Sequence, residues 1–560
     1  MKKKILLFIC LVTVATLSFA QEMAQDWNTP MGQPRTAKSA YSKELVQIDA
    51  NGNTYVCGEF SQDFTIGSYD LMAVGNSAYL AKIDNTGNVQ WAVAIQGNVA
   101  PAYMTTDSEG NVYITASSDG DAVILNSTDN NSKTLTGNSS SWGDYYNTLF
   151  AQYDANGVLK NSDIYLHDNK AGTSYVNPMG LVVNENNIYL ALTMANDIKI
   201  GETTFSGSEI SVTVEGEEGE QIALLPAVRI LSFDKNLSLQ KEIASIVFEA
   251  GNYYADIPSF AMTVNEGNLY AAFYAAATVK VSASTSSFTI ASDYDNSGFV
   301  PSYHRNLGLF RVNNEGNIDV HKSFIPENLV SAFSLGYEYV DNVFCTEDSW
   351  TITGAYNGNF LFNENAPATG DYTAAPFFVT LNPNTADLQK SNYWSEEYKL
   401  TDAAVGDALL VGLYKSTDKT STLNVYDFGT KNITDVETTK AGTSINGIAS
   451  TGAKVAICKA TEGAESADLA ISMNTLSGIT AGINESVATV TVSAYPNPVK
   501  DILNFSEVCD VTIVNGQGSV VKAVSATTQI SVDDLAAGYY IAKIKTADGT
   551  TVILSLIHIS

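Results

Sequence analysis

The chain has 560 residues, enough for a self-supporting core, and it carries 60 acidic against 30 basic side chains, for a net charge of −30. Affinity for nucleic acid rests on lysine and arginine contacts to phosphate, so this acidic balance excludes phosphate backbones as partners. The acidity favours solubility outside the cell and indicates no substrate.

The first 20 residues, MKKKILLFICLVTVATLSFA, have the charged start, the apolar run and the small-residue end of a signal peptide. Ser18 and Ala20 occupy the small positions of a peptidase site, which predicts cleavage near Ala20, before Gln21. The apolar run is shorter than the about 20 residues of a membrane-spanning helix, and no later segment is long and apolar enough. The mature chain is therefore predicted to be exported, soluble and without a transmembrane segment.

The cysteines outside the signal segment are few and far apart. They form no CxxC pair, so the sequence indicates neither a zinc site nor a disulfide-dense scaffold. The expected state is buried free thiols, and a long-range disulfide is the alternative. The four residues are Cys57, Cys345, Cys458 and Cys509.

Two short patterns alternate along residues 42–480. The first is a polar turn with Gly-Asn followed by an alternating strand, and the second is a strand that enters and leaves an Asx-Gly turn. The first pattern reads DANGNTYVCG from Asp49, DSEGNVYITA from Asp107, NENNIYLAL from Asn184 and NEGNLYAAF from Asn265, with weaker copies from Thr346, Val405 and Ser450. The second reads AKIDNTGNVQWA from Ala81, AQYDANGVLK from Ala151, LSFDKNLSLQ from Leu231, FRVNNEGNID from Phe310 and VTLNPNTADLQ from Val379.

Both patterns have the chemistry of short turns between antiparallel strands. Asp and Asn bond their own backbone and tolerate left-handed angles, and Gly adopts a positive φ freely. The Tyr, Val, Ile and Thr residues that follow alternate apolar and polar with period two, as half-buried strands do. Helical periodicity is almost absent, so the chain is predicted to be all-β.

The repeating unit is predicted to be a four-stranded antiparallel sheet. In residues 42–100 two further strands, around DFTIGSY and SAYLAKI, lie between the two patterns. Sheets of four strands in series cannot bury their faces alone, which favours a β-propeller in which neighbouring blades cover one another. Counting the first pattern gives about seven blades, with six or eight also compatible. The alternative is a pair of stacked β-sandwiches, which does not explain the alternation of the two patterns.

The sequence from GNTYVCGEF through IGSYDL to SAYLAKIDNTGNVQWAVAIQG resembles the bacterial β-propeller repeat called SBBP. The resemblance rests on the Gly-Asn-x-Tyr-Val start, the Ala-Lys-hydrophobic-Asp strand and the Trp-Ala close. It is good over residues 42–100, fair to about residue 330 and thin beyond. It implies a propeller fold and an extracellular location, and it implies no activity.

The C-terminal residues are predicted to form a separate small β-sandwich. Pro496 and Pro498 lack backbone N–H groups and exclude regular sheet pairing at its entry. Strands follow in DILNFS, CDVTIVNGQGSVVKAV and TQISVDDLAAGYYIAKIKTADGTTVIL, with hairpin turns at Asn515-Gly516 and Asp548-Gly549. The predicted domains are a signal peptide (1–20), a lead-in segment (21–41), the propeller-like repeat domain (42–480), a linker (481–494), the C-terminal β domain (495–553) and a terminal peptide (554–560).

This C-terminal segment resembles the type A C-terminal sorting domain of the type IX secretion system of Bacteroidetes-like bacteria. The resemblance implies that outer-membrane secretion machinery recognises the domain, which is then removed or exchanged for a surface anchor. The implied product is secreted or held at the outer-membrane surface. The residues that carry the sorting motif are Tyr495, Pro496, Asn497, Pro498, Asp501, Gly538 and Tyr539.

The last seven residues, LSLIHIS, depart from the sorting-domain pattern, which closes with a further strand and basic residues. The mosaic-end DNA used in transposase-based library preparation would encode this same peptide. We therefore expect residues 554–560 to be derived from an adapter, and His558 is given no functional role.

The remaining histidines give no sign of a metal site. His167, His304 and His321 have no second His, Cys or carboxylate at ligand spacing, so neither a metal nor a cofactor is predicted. Asp49, Asn51 and Asn53 imitate the start of a calcium loop, but no Glu stands at the twelfth position, and a turn explains the Gly residues as well. The sequence also lacks a nucleophile elbow and a phosphate-binding loop.

Two classes of function remain. The first is a secreted or cell-surface propeller that binds protein or glycan through loops on one face. The second is a secreted hydrolase or lyase with a carboxylate site in the central channel. The first is favoured, because no catalytic constellation is visible, and its ligand stays unknown. Candidate contact residues, for which core packing is the alternative role, are Trp142, Tyr145, Tyr146, Tyr253, Tyr254 and His304.

Overall fold

The computed structural model is all-β, and its contacts divide the chain into two units, residues 1–482 and 483–560. No helix among the residues it describes could span a membrane. The described residues are 21–35, 43–125, 132–139, 147–167, 175–195, 197–213, 220–251, 255–292, 294–295, 302–325, 330–331, 338–362, 366–370, 373–479, 494–496, 499–515, 520–546 and 551–558.

The described strands of the first unit pair into seven sets of four antiparallel strands, which we call blades. From the innermost strand outward, blade 1 has β2 (Leu45–Ile48), β3 (Thr54–Phe60), β6 (Ser77–Ile83) and the start of β7 (Val89–Thr106). Blade 2 has the end of β7, β8 (Val112–Leu125), β10 (Asn147–Tyr153) and β11 (Leu159–Tyr165). Blade 3 has β12 (Val176–Val183), β13 (Ile188–Met194), β18 (Ala227–Phe233) and β19 (Leu239–Ala250).

The remaining blades repeat the arrangement. Blade 4 has β20 (Ser259–Asn265), β21 (Asn268–Ala276), β26 (Arg305–Val312) and β27 (Ile318–Phe324). Blade 5 has β29 (Tyr339–Cys345), β30 (Trp350–Tyr356), β31 (Ala375–Leu381) and β32 (Leu388–Tyr393). Blade 6 has β33 (Tyr398–Val405), β34 (Leu409–Lys415), β35 (Thr420–Tyr426) and β36 (Ile433–Thr438). Blade 7 has β37 (Thr443–Thr451), β38 (Lys454–Glu462), β39 (Ala467–Ser477) and β1 (Glu22–Gly32).

Blade 7 is completed by the N-terminal strand β1, and this corrects the sequence analysis, which placed residues 21–41 outside the repeat domain. Along β1, Glu22 pairs with Ser477 and Gly32 with Leu469. Trp27 Nε1 donates a hydrogen bond to the carbonyl of Asn85 in blade 1. The N-terminal and C-terminal strands of the unit therefore close the ring together.

The hydrophobic core is divided among the boundaries between blades. Seven clusters of buried side chains each join two successive blades, and the cluster between blades 7 and 1 contains Met31 of β1. The inner strand of each blade contacts the inner strand of the next, around to the first. The four-stranded sheet of each blade has two apolar faces, and each face is buried against the sheet of a neighbouring blade. The predicted all-β propeller class is thus confirmed.

All seven copies of the first sequence pattern form the turn between the first and second strands of a blade. The five copies of the second pattern form the turns between the third and fourth strands of blades 1 to 5. Asp49 shows the chemistry: its Oδ1 accepts hydrogen bonds from the backbone N–H groups of Asn51 and Asn53, each at 2.9 Å. Tyr55, the tyrosine of the Gly-Asn-x-Tyr pattern, donates from its hydroxyl to Asp49 Oδ2.

Antiparallel pairing places these turns at one end of the propeller, which we call the turn face. The connections between second and third strands, and those between successive blades, lie at the opposite end, the loop face. Inserted strands occupy the loop-face connections: β4 (Phe64–Ile66), β5 (Tyr69–Leu71), β9 (Ser132–Leu135), β14 (Ile198–Ile200), β15 (Thr203–Phe205), β16 (Ser208–Thr213), β17 (Glu220–Leu225), β22 (Thr278–Ala283), β23 (Ser286–Ile290), β24 (Tyr294–Asp295), β25 (Ser302–Tyr303) and β28 (Val330–Ser331).

The second unit is a five-stranded sheet with its own core. Its strands are β40 (Ala494–Tyr495), β41 (Ile502–Asn515), β42 (Val520–Ser531), β43 (Gly538–Thr546) and β44 (Thr551–His558). The strand β41 pairs with β40, β42 and β43, and its register with β42 breaks between Asn504 and Cys509. The strands of the second unit therefore form one hydrogen-bonded sheet through β41, and the predicted arrangement as a sandwich stays a prediction.

Candidate functional site

The inner strands of all seven blades border one central cavity of about 500 Å³, which we call the channel. Five of these strands have a break in register with the second strand of their blade near the channel, as a β-bulge gives, and bulges re-aim side chains. The breaks fall between Pro101 and Tyr103, Pro178 and Gly180, Val340 and Asn342, Leu400 and Asp402, and Ile445 and Gly447. Polar side chains beside two of these breaks, Asp341 and Asp402, meet in the channel.

An ion cluster lies near the loop-face end of the channel. Lys43, two residues before β2, donates a hydrogen bond from Nζ to Asp341 Oδ1 at 2.9 Å. The same amine lies 3.7 Å from Asp402 Oδ1. Blades 1, 5 and 6 are therefore joined through one lysine side chain, which is still 42% exposed because it faces the channel. We call Lys43, Asp341 and Asp402 the channel triad.

Neighbouring groups fix the two carboxylates. Asp402 Oδ2 accepts a hydrogen bond from the backbone N–H of Ile448 at 2.8 Å. The Asn342 side-chain amide donates to Asp341 Oδ2 at 2.6 Å and lies 3.5 Å from Asp402 Oδ1. The carboxylates are thus held by blades 5 and 7 as well as by the lysine.

Burial and charge shift the pKa values of this site in different directions. Burial raises the pKa of Asp402 to about 6, because the nearby Lys43 ammonium only partly offsets the loss of solvent and Asp341 adds repulsion. Burial acts against the charged form of Lys43 as well, but the two carboxylates raise its pKa above the usual value. Burial raises the pKa of Tyr103 to about 12. Lys43 therefore stays charged at neutral pH, while Asp402 can take up a proton in mildly acidic solution.

A second charged cluster lies between blades 4 and 5 at the loop-face ends of their strands. Arg305, the first residue of β26, forms an ion pair with Glu338, and both side chains are 3% exposed. Burial raises the pKa of Glu338 to about 7, although the arginine opposes the shift. Tyr274 and Asp256 lie close enough to influence Arg305 electrostatically. This cluster faces neighbouring blades and packs inside the core, so we treat it as structural.

The loop face carries most of the exposed large hydrophobic side chains of the propeller. Of the seven in the described part of residues 22–477, six lie in loop-face connections and one, Leu388, follows a turn-face turn. The six are Met72, Val74, Leu166, Ile222, Leu224 and Ile325. Exposed apolar side chains gathered on one surface are typical of interaction sites.

The turn face carries many polar side chains, and the carboxylates that begin its Asx turns are hydrogen-bonded within the chain itself. Asp107 Oδ1 accepts from the backbone N–H groups of Glu109 and Asn111, and its Oδ2 accepts from Tyr113 and Lys235. Among the described residues, no group of three or more His, Cys, Asp or Glu side chains could hold a metal ion. The expected absence of a metal or cofactor stays a prediction.

Of the candidate contact residues named from the sequence, only His304 lies within the described residues. It precedes β26 at the loop face, it is half-buried, and its buried Nδ1 has no hydrogen-bond partner among the described residues. Trp142, Tyr145, Tyr146, Tyr253 and Tyr254 lie outside them. His304 is not part of the channel lining.

The four cysteines are free thiols in the structure. Cys57, Cys458 and Cys509 are buried and Cys345 is half-buried. Burial raises the pKa of the Cys57 and Cys458 thiols well above the usual value, so neither is poised to react as a thiolate.

The sorting-motif residues belong to the entry of the second unit and to β43. Tyr495 ends β40 and is exposed, and its carbonyl accepts a hydrogen bond from the Asn504 side chain. Asp501 is exposed, and its carbonyl accepts a hydrogen bond from the backbone N–H of Val532. Gly538 and Tyr539 begin β43. Pro496 follows β40, while Asn497 and Pro498 lie outside the described residues.

The sequence analysis missed the channel triad. The available signal was a charged residue inside a strand that is otherwise apolar, as in YVDNVF around Asp341 and LTDAAV around Asp402. Such a signal gains meaning only when the strand is known to line a channel. Lys43 gave no signal, since it stands outside any strand pattern.

Comparison with known families identifies the second unit. Residues 493–558 match the model of the secretion system C-terminal sorting domain, which confirms the sorting domain predicted from the sequence. The match extends past residue 553, and β44 runs to His558, so both include part of the peptide expected to come from an adapter. The origin of residues 554–560 stays a prediction. No curated protein shows significant similarity to the chain.

Among solved structures, the chain is similar to two enzymes at low identity. Quinohemoprotein alcohol dehydrogenase from Comamonas testosteroni is 10% identical, with 86% of this chain and 79% of that chain covered and a TM-score of 0.32. Trypanosoma rangeli sialidase is 10% identical, with 84% of this chain and 86% of that chain covered and a TM-score of 0.31. Scores this low carry neither fold nor function, so the propeller assignment and its blade number rest on strand pairing.

Proposed function

We propose that this secreted or cell-surface protein, which carries a C-terminal sorting domain of the type IX kind, binds a protein or glycan ligand through the loop face of its propeller. The sorting domain places the chain among exported proteins. We infer further that export begins with cleavage of the signal peptide near Ala20 and that the secretion machinery recognises Tyr495 to Asp501. The repeat itself is proposed to be of the SBBP kind.

The observation that carries the binding proposal is the asymmetry of the two propeller faces. Met72 is 65% exposed and Leu224 is 53% exposed, and both lie in insertions at the loop face. At the turn face, Asx turns such as those of Asp49 and Asp107 satisfy their carboxylates within the chain. A partner that buries apolar surface, at about 25 cal/mol per Å², would therefore gain most at the loop face.

Replacement of Met72 and Leu224 by serine is expected to weaken ligand binding at least tenfold, because each change removes apolar contact area from the interface. The measurement is retention of the full mature chain on a glycan array and on intact envelopes of the producing bacterium. Leu388→Ser, with a side chain 45% exposed next to a turn-face turn, is the matched control. A loss of binding by the Leu388 variant with no loss by the other two would refute the loop-face assignment.

The second candidate, a secreted hydrolase or lyase, is favoured by one specific observation. The channel triad holds two carboxylates, and the pKa of Asp402 is raised to about 6, as suits a general acid, while Asp341 would act as the base. Against this assignment, Asp341 is hydrogen-bonded to Lys43 and Asp402 to the Ile448 backbone. Turnover of polysaccharide substrates by the wild type, lost in Asp402→Asn, would favour the enzyme over the binding protein.

A further inference from the structure

The channel triad already holds a primary ammonium group, that of Lys43. Its nitrogen lies 2.9 Å from one carboxylate and 3.7 Å from the other, and the two acids come from different blades. A primary ammonium is a compact point charge with three donors, and charged hydrogen bonds to carboxylates are among its strongest interactions. The geometry at this end of the channel is therefore that of an ammonium receptor.

The receptor is positioned by the blades and does not depend on Lys43 alone. The Ile448 backbone N–H holds Asp402, and the Asn342 amide holds Asp341. Both acids lie at or next to a break in register of an inner strand, which aims them from neighbouring blades. Carboxylates fixed by main-chain and amide groups would keep their places when the lysine moves away.

Charge and space leave room for a second cation. Among the described residues that line the channel, Lys43 is the one with a positive charge. The lining residues with a negative charge are Asp341, Asp402 and Glu44. Glu44 is already paired with Arg35. The lysine thus neutralises one of the two triad acids, and an incompletely compensated buried carboxylate is costly. The channel, of about 500 Å³, can hold a short alkyl chain beside the lysine.

We propose that the loop-face end of the channel is a binding site for primary alkylammonium groups, with Lys43 as its tethered and exchangeable occupant. The ligand class is a lysine side chain of a partner protein or a free polyamine, which share this chemistry. A divalent metal fits less well, because the site offers two carboxylates, one already bonded to an ammonium. The inference rests on the proposed binding function and deepens it by naming the ligand chemistry.

The test begins with Lys43→Ala, studied in the full mature chain at pH 7.5. Propylammonium has the three carbons and the amine that this substitution removes. At 100 times its Kd it is expected to raise the unfolding midpoint of the variant by about 3 °C. Tetramethylammonium and sodium at equal concentration are expected to shift the midpoint by less than a third of that, since neither donates an N–H group.

Three further variants keep the test interpretable. Adding Asp341→Asn and Asp402→Asn to Lys43→Ala should abolish the shift of the unfolding midpoint by propylammonium. Lys43→Met, whose side chain refills the space, should show no such shift. Equal shifts with and without the two carboxylates would overturn the proposal. If Lys43→Ala does not fold, Lys43→Ser in the same assay replaces it, and a lack of amine-dependent stabilisation there likewise overturns the proposal.

Calorimetry on the wild type then separates the two sources of the ammonium group. Spermidine and a lysine-rich peptide are each titrated into the wild type and into Asp402→Asn. Binding of either probe that is at least tenfold weaker in the variant would support the proposed ammonium site for that probe. Binding of both probes unchanged by Asp402→Asn would overturn it. Loss of ligand binding by the loop-face serine variants would support the proposed function independently. The proposed function and the proposed ammonium site can therefore fail separately.

Discussion

Met31→Ala is expected to lower the free energy of unfolding of the propeller by about 2–5 kcal/mol, because it opens a cavity in the core that joins the two ends of the unit. Met31 is fully buried in the cluster shared by blades 7 and 1. Deletion of residues 22–32 should have a larger effect and prevent a cooperative unfolding transition, since the outer edge of β39 and this core would both be exposed.

Chemical denaturation followed by tryptophan fluorescence measures the effect of Met31→Ala. Asn28→Ala is the matched control, because Asn28 is exposed on the same strand and surface changes of this kind stay within about 0.5 kcal/mol. If the two alanine variants unfold at the same denaturant concentration, β1 does not contribute to ring closure as the pairing indicates.

Glu338→Ala is expected to destabilise the propeller by about 3–5 kcal/mol at pH 8, because the buried and charged Arg305 would lose its ion pair with the Glu338 carboxylate. Both side chains of the pair are 3% exposed, so solvent cannot replace the lost interaction. The double variant Arg305→Met with Glu338→Leu should recover most of the loss, since two apolar side chains need no compensation. Glu202→Ala, in an exposed ion pair with Lys199, is the control and should change stability by less than about 0.5 kcal/mol.

The same glutamate gives a dependence on pH whose sign follows from its shifted pKa. The pKa of Glu338 is raised to about 7 by burial, against an ordinary value of 4.5. Between those values the folded protein binds more protons than the unfolded chain, so its stability falls as pH rises, by up to about 1.4 kcal/mol per pH unit. Glu338→Gln cannot titrate, and the difference in unfolding midpoint between wild type and this variant should vary across pH 5 to 8. A constant difference would contradict the assignment.

The turn chemistry of the chain could be read directly from its residues. Asx-Gly turns depend on the side chain of one Asp or Asn and on backbone groups up to four positions away, as Asp49 shows with Asn51 and Asn53. Such local interactions leave a pattern at fixed spacing. The same holds for the sorting domain, whose motif is short and whose strands follow one another in order.

The N-terminal strand shows where sequence reasoning stopped. Trp27 of β1 occupies the same place in blade 7 as Trp91 does in blade 1. In both cases the indole N–H donates a hydrogen bond to a turn of the next blade. A single tryptophan without the preceding turn gave too little pattern to recognise. Its partner strand, β39, lies more than 400 residues away in the chain.

The sequence by itself determined the all-β class, the turns that define each repeat and the sorting domain, because each depends on neighbours within a few residues. Only the tertiary structure decided which strand completes the ring, which acids face the channel and which end of the propeller exposes apolar side chains. Lys43, Asp341 and Asp402 are far apart in the chain, and their meeting is a consequence of ring closure. Contacts of that kind depend on how the sheets pack around a common axis, and no local pattern records them.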